Sequence, residues 1–354
     1  MSTDSIATKS APEQKSSGGQ TRSKILSALS PRRISGVYLW IVLIVFFALA
    51  NENFFTTTTL RSVASEQAVT AIVAVGLMIA LAAGVFDLSI AGTMGIANII
   101  VAKLMAGGMA VPEAIILTLL MCSVIGIVNG ILVVGVRIDP FIATLGTNSI
   151  LAAMIVLISN NQNVLGVPES FASLSTDKIA TIPLPVFYVI GLSLAIWYVL
   201  EWTPIGRRLY ATGGGRQVAN LAGIRTNAYV ICSFIASATI AAAAGILVVA
   251  SVGTGSTEVG PSYLLPAFAA GFLGATQFRP GRYNVWGTVL AVYLLATGVK
   301  GLVLMGAAVW VPEMFNGLAL LVAVGAGGFQ RWVRIRRDKE AVAEAVEDPK
   351  AAPA

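Results

Sequence analysis

The sequence predicts an all-α polytopic membrane protein with about ten transmembrane helices and with both termini inside. Of its 354 residues, 56% are hydrophobic and only 11% are charged, whereas a soluble domain carries about 25% charged residues. The mean hydropathy is +0.82. A soluble fold of this length exposes too much surface to bury that quantity of apolar side chain.

Ten apolar runs approach the roughly 20 residues that a spanning helix needs. They lie near 34–50, 63–83, 87–106, 112–134, 140–158, 183–202, 228–251, 263–278, 284–304 and 312–329. Pro266 interrupts the eighth, and Gly126 and Gly130 give the fourth a spacing suited to close helix packing. We therefore divide the chain into a disordered basic cytoplasmic tail (1–33), a transmembrane domain (34–329) and a cytoplasmic C-terminal tail (330–354).

The first run ends in Ala48-Leu49-Ala50, which is similar to a signal-peptidase site. Cleavage there would leave nine spans. We favour an uncleaved helix, because the preceding tail exceeds 30 residues and is far longer than the basic region of a signal peptide.

The positions of the cations predict the orientation. With ten spans and the N-terminus inside, 19 Lys and Arg residues lie inside and four lie outside. Cations resist translocation, so this split favours N-in and C-in. A basic tail could instead bind nucleic acid, but a topology signal is the commoner explanation, and no nucleic-acid partner is expected.

Several chemistries are excluded by missing residues. The chain has no histidine, which removes His-based catalysis, triads and His-ligated metals. Cys122 and Cys232 lie far apart in apolar runs, and no phosphate-binding G-x-x-x-x-G-K-[ST] motif occurs. We expect no catalytic residue, no metal and no cofactor.

The inner connection between the sixth and seventh spans, residues 203–227, contains a predicted short amphipathic helix at about 215–222. Val218, Leu221 and Ala222 share one helical face, and Gly223 follows where a helix-terminating glycine belongs. Such a helix either rests on lipid headgroups or docks a cytoplasmic partner.

Four stretches resemble the ribose-type sugar permeases of ABC importers. They are GRRLYATGGGRQVANLAGIR at 206–225, AGVFDLSIAG at 83–92, VRIDPFIATLGT at 136–147 and FLGATQFRPGRYNVWGTVLA at 272–291. Two positions depart from the family pattern. Gly215-Arg216-Gln217 replaces the commoner Asn-Pro-Glu, and Pro266 stands where an Asp is often found.

The resemblance implies a permease subunit in a bacterial inner membrane. It would work with a second permease copy, identical or not, with cytoplasmic ATP-binding subunits and with an extracytoplasmic solute-binding protein that delivers a sugar or polyol. The residues then expected to couple to the ATPase are Gly206, Arg207, Arg208, Leu209, Gly213, Gly214, Val218, Leu221 and Gly223.

Polar residues inside the spans are candidates for the solute pathway, because amides and hydroxyls suit a sugar. They can equally hydrogen-bond neighbouring helices. The candidates are Asn98, Asn129, Asn148, Thr144, Thr147, Ser89 and Thr93. Asp87 is either a structural acid that caps the third span or a gating acid.

Three alternatives stay open at this point. An ABC permease could carry an amino acid or a signalling molecule. An ion-coupled secondary transporter usually buries titratable groups, and here the acids lie only at the span boundaries. A membrane enzyme has the least support, since no nucleophile and base are paired in the sequence.

Overall fold

The computed structural model describes residues 35–325, and the predicted tails at 1–33 and 330–354 lie outside them. The elements follow in chain order, with one small hairpin. They are α1 (Ser35–Ala50), α2 (Thr57–Ala82), α3 (Ser89–Ala106), α4 (Val111–Val134), α5 (Pro140–Ser159), α6 (Glu169–Thr176), β1 (Lys178–Ile179), β2 (Ile182–Pro183), α7 (Leu184–Trp202), α8 (Pro204–Gly214), α9 (Arg216–Leu221), α10 (Thr226–Val252), α11 (Pro261–Gly274), α12 (Val285–Leu304) and α13 (Val311–Gly325).

An all-α polytopic membrane protein is confirmed. Within the described chain, seven helices are long and apolar enough to cross a membrane: α2, α3, α4, α5, α7, α10 and α12. The other three predicted spans also coincide with helices, but these are shorter. Helix α1 has 16 residues, α13 is a shorter apolar helix, and α11 has 14 residues with Pro266 inside it.

Helices α2, α3 and α10 form the centre of the molecule. The second half of α2 is buried continuously from Ala68 to Ala82, and it packs against α10, α11, α12 and α7. Helix α4 approaches α10 closely at Gly126, because this residue has no side chain. A Cβ atom there would lie only 2.6 Å from the Phe234 carbonyl oxygen. The predicted packing role of that glycine spacing is confirmed.

The start of α5 follows the local sequence. The Asp139 carboxylate accepts a hydrogen bond from the Phe141 N–H at 2.9 Å, and Pro140 occupies the first turn of α5.

Helix α1 is attached to α12: the Trp40 indole donates to the Thr297 hydroxyl at 2.8 Å, and the Asn51 amide donates to the Leu304 carbonyl at 2.8 Å.

The strands β1 and β2 pair antiparallel, Lys178 with Pro183 and Ile179 with Ile182. A separate bridge pairs Val164 with Gly255. It brings the connection after α5 beside the connection after α10, so these two loops form one continuous surface at the same end of the helices.

Candidate functional site

The connection between α7 and α10 holds two helices where the sequence predicted one. Helix α9 and its terminating glycine match the predicted segment, whereas α8 was not predicted. The three glycines at 213–215 suggest a loop, but Pro204 at the first turn and the apolar residues Ile205 and Leu209 were signals that could have identified the helix.

Helix α8 lies flat against the ends of α7 and α2. Its buried face carries Gly206, Leu209 and Thr212. A side chain at Gly206 would overlap the Leu200 carbonyl. Arg207, Arg208 and Gly214 are exposed on the other side. Small residues therefore let this helix contact the membrane-spanning body directly.

The other attachment of α8 is Tyr210. Its hydroxyl donates to the Tyr283 carbonyl at 2.7 Å, and the Arg282 guanidinium lies 3.7 Å from the ring centroid. Burial raises the pKa of Tyr210, and the nearby charge of Arg282 offsets only part of this rise. The hydroxyl therefore keeps its proton and remains a hydrogen-bond donor. Glu201 pairs with Arg279 and with Arg282. Tyr210 thus fixes α8, and Glu201 fixes the end of α7, to the connection between α11 and α12.

Helix α9 ends in the turn that Gly223 predicts. Gly223 has φ +80°, a conformation that costs other residues about 1–2 kcal/mol. Its N–H donates to the Asn220 carbonyl, and the Ile224 N–H donates to the Ala219 carbonyl, both at 3.0 Å. This pair of bonds is the Schellman arrangement that satisfies the last carbonyls of a helix.

The apolar face of α9 points away from the protein. Ala219 is buried against the body, while Val218 is 73% exposed and Leu221 is 90% exposed. We call α8 and α9 together the coupling surface. It is firmly attached on one side and presents uncovered apolar side chains on the other.

A second polar arrangement lies inside the helix bundle, and we call it the buried polar cluster. Asp87, 1% exposed, accepts from the Ser89 hydroxyl at 2.6 Å and from the Ser237 hydroxyl at 2.7 Å. The Asn129 amide donates to Ser89 at 2.7 Å, and the Thr147 hydroxyl donates to Asn129 at 2.6 Å. The cluster joins α3, α4, α5 and α10.

Other predicted pathway residues hold the same helices together. The Thr144 hydroxyl accepts from the Leu88 N–H at 3.1 Å, and the Asn148 amide oxygen accepts from the Gly92 N–H at 2.8 Å. Asn98 donates to the Gly245 carbonyl at 3.2 Å and accepts from the Ser256 N–H at 2.7 Å. Thr93 is buried, and its hydroxyl has no hydrogen-bond partner in the described part of the chain.

Asp87 lies just before α3, whose cap position is Leu88. Its carboxylate bonds to α3 through the Ser89 hydroxyl and to α10 through the Ser237 hydroxyl. Within residues 35–325 no cation lies within ion-pair distance of it. The two hydroxyl donors replace part of the water that this buried carboxylate has lost.

A polar cavity of about 280 Å³ opens between α2, α11, α12 and α13. Its polar wall is formed by Glu66, Gln67, Thr70, Ser262, Tyr263 and Asn316. Lys300 lies 3.8 Å from the Glu66 carboxylate. Sequence reasoning named Gln67 among the polar residues of the spans but did not identify this cavity, because its polar residues come from three helices that are far apart in the sequence: α2, α11 and α13. Among residues 35–325 no group of acids and cysteines could hold a metal.

Apolar spanning helices, a pair of helices attached between two of them and a buried polar cluster are typical of a transport subunit in a membrane. The chain belongs to the family described as branched-chain amino acid transport system, permease component, whose model matches residues 59–324. A permease component is a transport subunit and not itself an enzyme, as the sequence predicted.

Curated relatives confirm the resemblance to ribose-type permeases. The ribose import permease of Haemophilus influenzae is 28% identical over 82% of this chain and 91% of its own length. The D-allose permease of Escherichia coli is 28% identical over 81% and 88%. The autoinducer 2 permease LsrD of Salmonella paratyphi B is 27% identical over 79% and 86%. No solved structure gives a significant match.

Proposed function

We propose that this chain is the permease subunit of a binding-protein-dependent ABC importer for a sugar or polyol, energised by ATP hydrolysis in a separate subunit. The observation that carries the proposal is the coupling surface. Val218 and Leu221 are exposed on a helix whose opposite side is fixed to the body. Exposed apolar side chains on a fixed element are typical of a protein interface.

The proposed topology has ten crossings with both termini inside. The seven long helices supply seven crossings, and α1, α11 and α13 supply three more. The 19-to-4 distribution of cations supports the orientation. In this orientation the coupling surface would face the cytoplasm and the proposed ATP-binding subunits, and the loops joined by the Val164–Gly255 bridge would lie outside.

Contact between α8 and the turn after α2 gives a route for coupling. Gly213 lies against the Ala82 carbonyl, and a Cβ atom at Gly84 would lie 3.0 Å from the Gly213 Cα atom. Asp87 follows Gly84 by three residues. A push on α8 from closing ATPases would therefore reach the start of α3 through packed backbone, as small shifts at interfaces are transmitted in switching proteins.

The solute pathway is proposed to use polar side chains of the transmembrane domain. Asn98, Asn129, Asn148, Thr144, Thr147, Ser89 and Thr93 remain candidates as predicted, although six of them bond to protein in this conformation. The polar cavity adds a carboxylate, amides and hydroxyls that have the chemistry of a polyol site. The position of this cavity supports a solute pathway that begins between α2 and α11.

The outer loops are proposed to meet the solute-binding protein. Glu169 and Asp177 flank α6, Lys178 starts β1, and Glu258 lies in the adjoining loop. A second permease copy, identical or different, would complete the transporter.

The cargo is proposed from the relatives, which include a ribose import permease and a D-allose permease. The autoinducer 2 relative and the family description favour a second candidate, a signalling molecule or an amino acid. Uptake of labelled D-ribose into cells expressing the whole transporter, with unlabelled D-allose or leucine as competitor, separates these classes. Competition by D-allose alone supports a sugar, and competition by leucine contradicts it.

Removal of the partners tests the transport mechanism. Uptake should be lost when the ATP-binding subunit or the binding protein is deleted, and it should survive a proton ionophore while cellular ATP is maintained. Uptake that persists without both partners would contradict the proposal. Collapse with the ionophore at constant ATP would indicate an ion-coupled transporter instead.

A further inference from the structure

A groove of about 680 Å³ runs between α7 and α10. Both helices pack on α2 but not extensively on each other, so the gap between them stays open, with Ile79 of α2 at its base. Its walls are largely apolar or small, including Val199, Ala228 and Ala236. Helix α8 and the turn at 222–225 close one end.

Two arginines stand at that closed end. Arg208 and Arg225 line the groove and are exposed. No acidic residue lines it, and within residues 35–325 neither arginine has an ion-pair partner, whereas Arg279 and Arg282 on the neighbouring connection are paired with Glu201. This end of the groove therefore carries two positive charges with no acidic partner.

The groove has the dimensions of one membrane leaflet. From Arg225 to Ala236 is eleven residues of helix, a rise of about 16 Å. The hydrocarbon of one leaflet is about 15 Å thick, half of a bilayer core of about 30 Å. A molecule with its acyl chain along α10 would thus present its headgroup to Arg208 and Arg225.

We infer that this groove binds an anionic phospholipid, with the acyl chain between α7 and α10 and the phosphate at Arg208 and Arg225. Basic pockets between transmembrane helices on the cytoplasmic side favour such headgroups. The site adjoins the coupling surface through Leu209 and Gly223. The bound lipid stabilises the position of α8 and α9 against the body.

Native mass spectrometry of the full-length protein, titrated with phosphatidylglycerol or phosphatidylcholine, tests the inference. Each cation near the headgroup contributes about fivefold to affinity, so Arg208→Gln with Arg225→Gln should weaken phosphatidylglycerol binding about 25-fold. Arg207→Gln with Arg216→Gln is the matched control. It removes the same charge from the same loop at residues outside the groove and should leave binding within about twofold.

A second variant fills the groove with a larger side chain. Ala228→Phe keeps both arginines and should also reduce phosphatidylglycerol retention. Equal binding of phosphatidylcholine, or unchanged retention in both the arginine and Ala228→Phe variants, would overturn the inference. Cys232 lines the groove and Cys122 is buried. A dimer cross-linked through Cys232 in membranes would show that a second copy occupies the groove instead.

Discussion

The buried polar cluster and the coupling surface use their residues in opposite ways. In the cluster, the side chains of Asp87, Ser89 and Asn129 are hydrogen-bonded to other side chains of the protein. On the coupling surface, Leu221 is 90% exposed with nothing packed over it. Groups that are satisfied internally support the fold of this chain, whereas groups left uncovered are available to another chain.

The two regions are also connected. Gly213 of the coupling surface contacts the turn that leads to Asp87. Changes in the cluster should therefore act first on stability, and changes on the exposed face of α9 should act on transport alone. Each prediction below separates these two effects.

Removal of the Asp87 carboxylate should have the largest effect. In Asp87→Ala the Ser89 and Ser237 hydroxyls lose their acceptor inside the protein, and each buried unpaired group costs about 1–3 kcal/mol. We expect a lower melting temperature and less folded protein, measured by fluorescence-detected size-exclusion chromatography after heating.

Asp139→Ala is the control, because Asp139 is also an Asp at a helix start but is exposed. Loss of an exposed cap costs about 1 kcal/mol. Asp87→Asn keeps one acceptor and should fall between the two. Equal melting temperatures for Asp87→Ala and Asp139→Ala would show that the cluster does not stabilise the fold.

Leu221→Asp should have the next largest effect, and it should act on transport. The substituted side chain contacts little of its own protein, so stability should stay within about 0.5 kcal/mol of wild type. A charge in the centre of a partner interface removes a well-packed contact, and such contacts are worth about 2 kcal/mol or more. Uptake should fall by about tenfold or more at unchanged protein level.

Gln217→Glu is the matched control for Leu221→Asp. It adds the same charge to the same helix at another exposed position. It should leave uptake near wild type. If Leu221→Asp transports normally, α9 does not dock the ATPase and rests on lipid headgroups instead.

The contrast between the regions also explains what the sequence could predict. Apolar runs and helix-terminating glycines are local signals, so the spanning helices and the Gly223 turn could be predicted, whereas α8 was missed. The partner of Asp87 could not, because Ser237 is 150 residues away and only the packing of α10 against α3 brings them together. The polar cavity was missed for the same reason, since Glu66 and Asn316 are 250 residues apart in the sequence.

Gly223→Val should have the smallest of the three effects. The positive φ of Gly223 costs a β-branched residue about 1–2 kcal/mol, and this strain falls on the turn that ends α9 while the membrane-spanning helices are untouched. The exposed face of α9 then shifts relative to α8, so uptake should fall a few-fold while ATP hydrolysis by the assembled transporter continues. Gly223→Asn is the control, because Asn tolerates the left-handed region, and it should restore coupling. Equal ratios of uptake to ATP hydrolysis in the two variants would show that the geometry of this turn does not set the coupling.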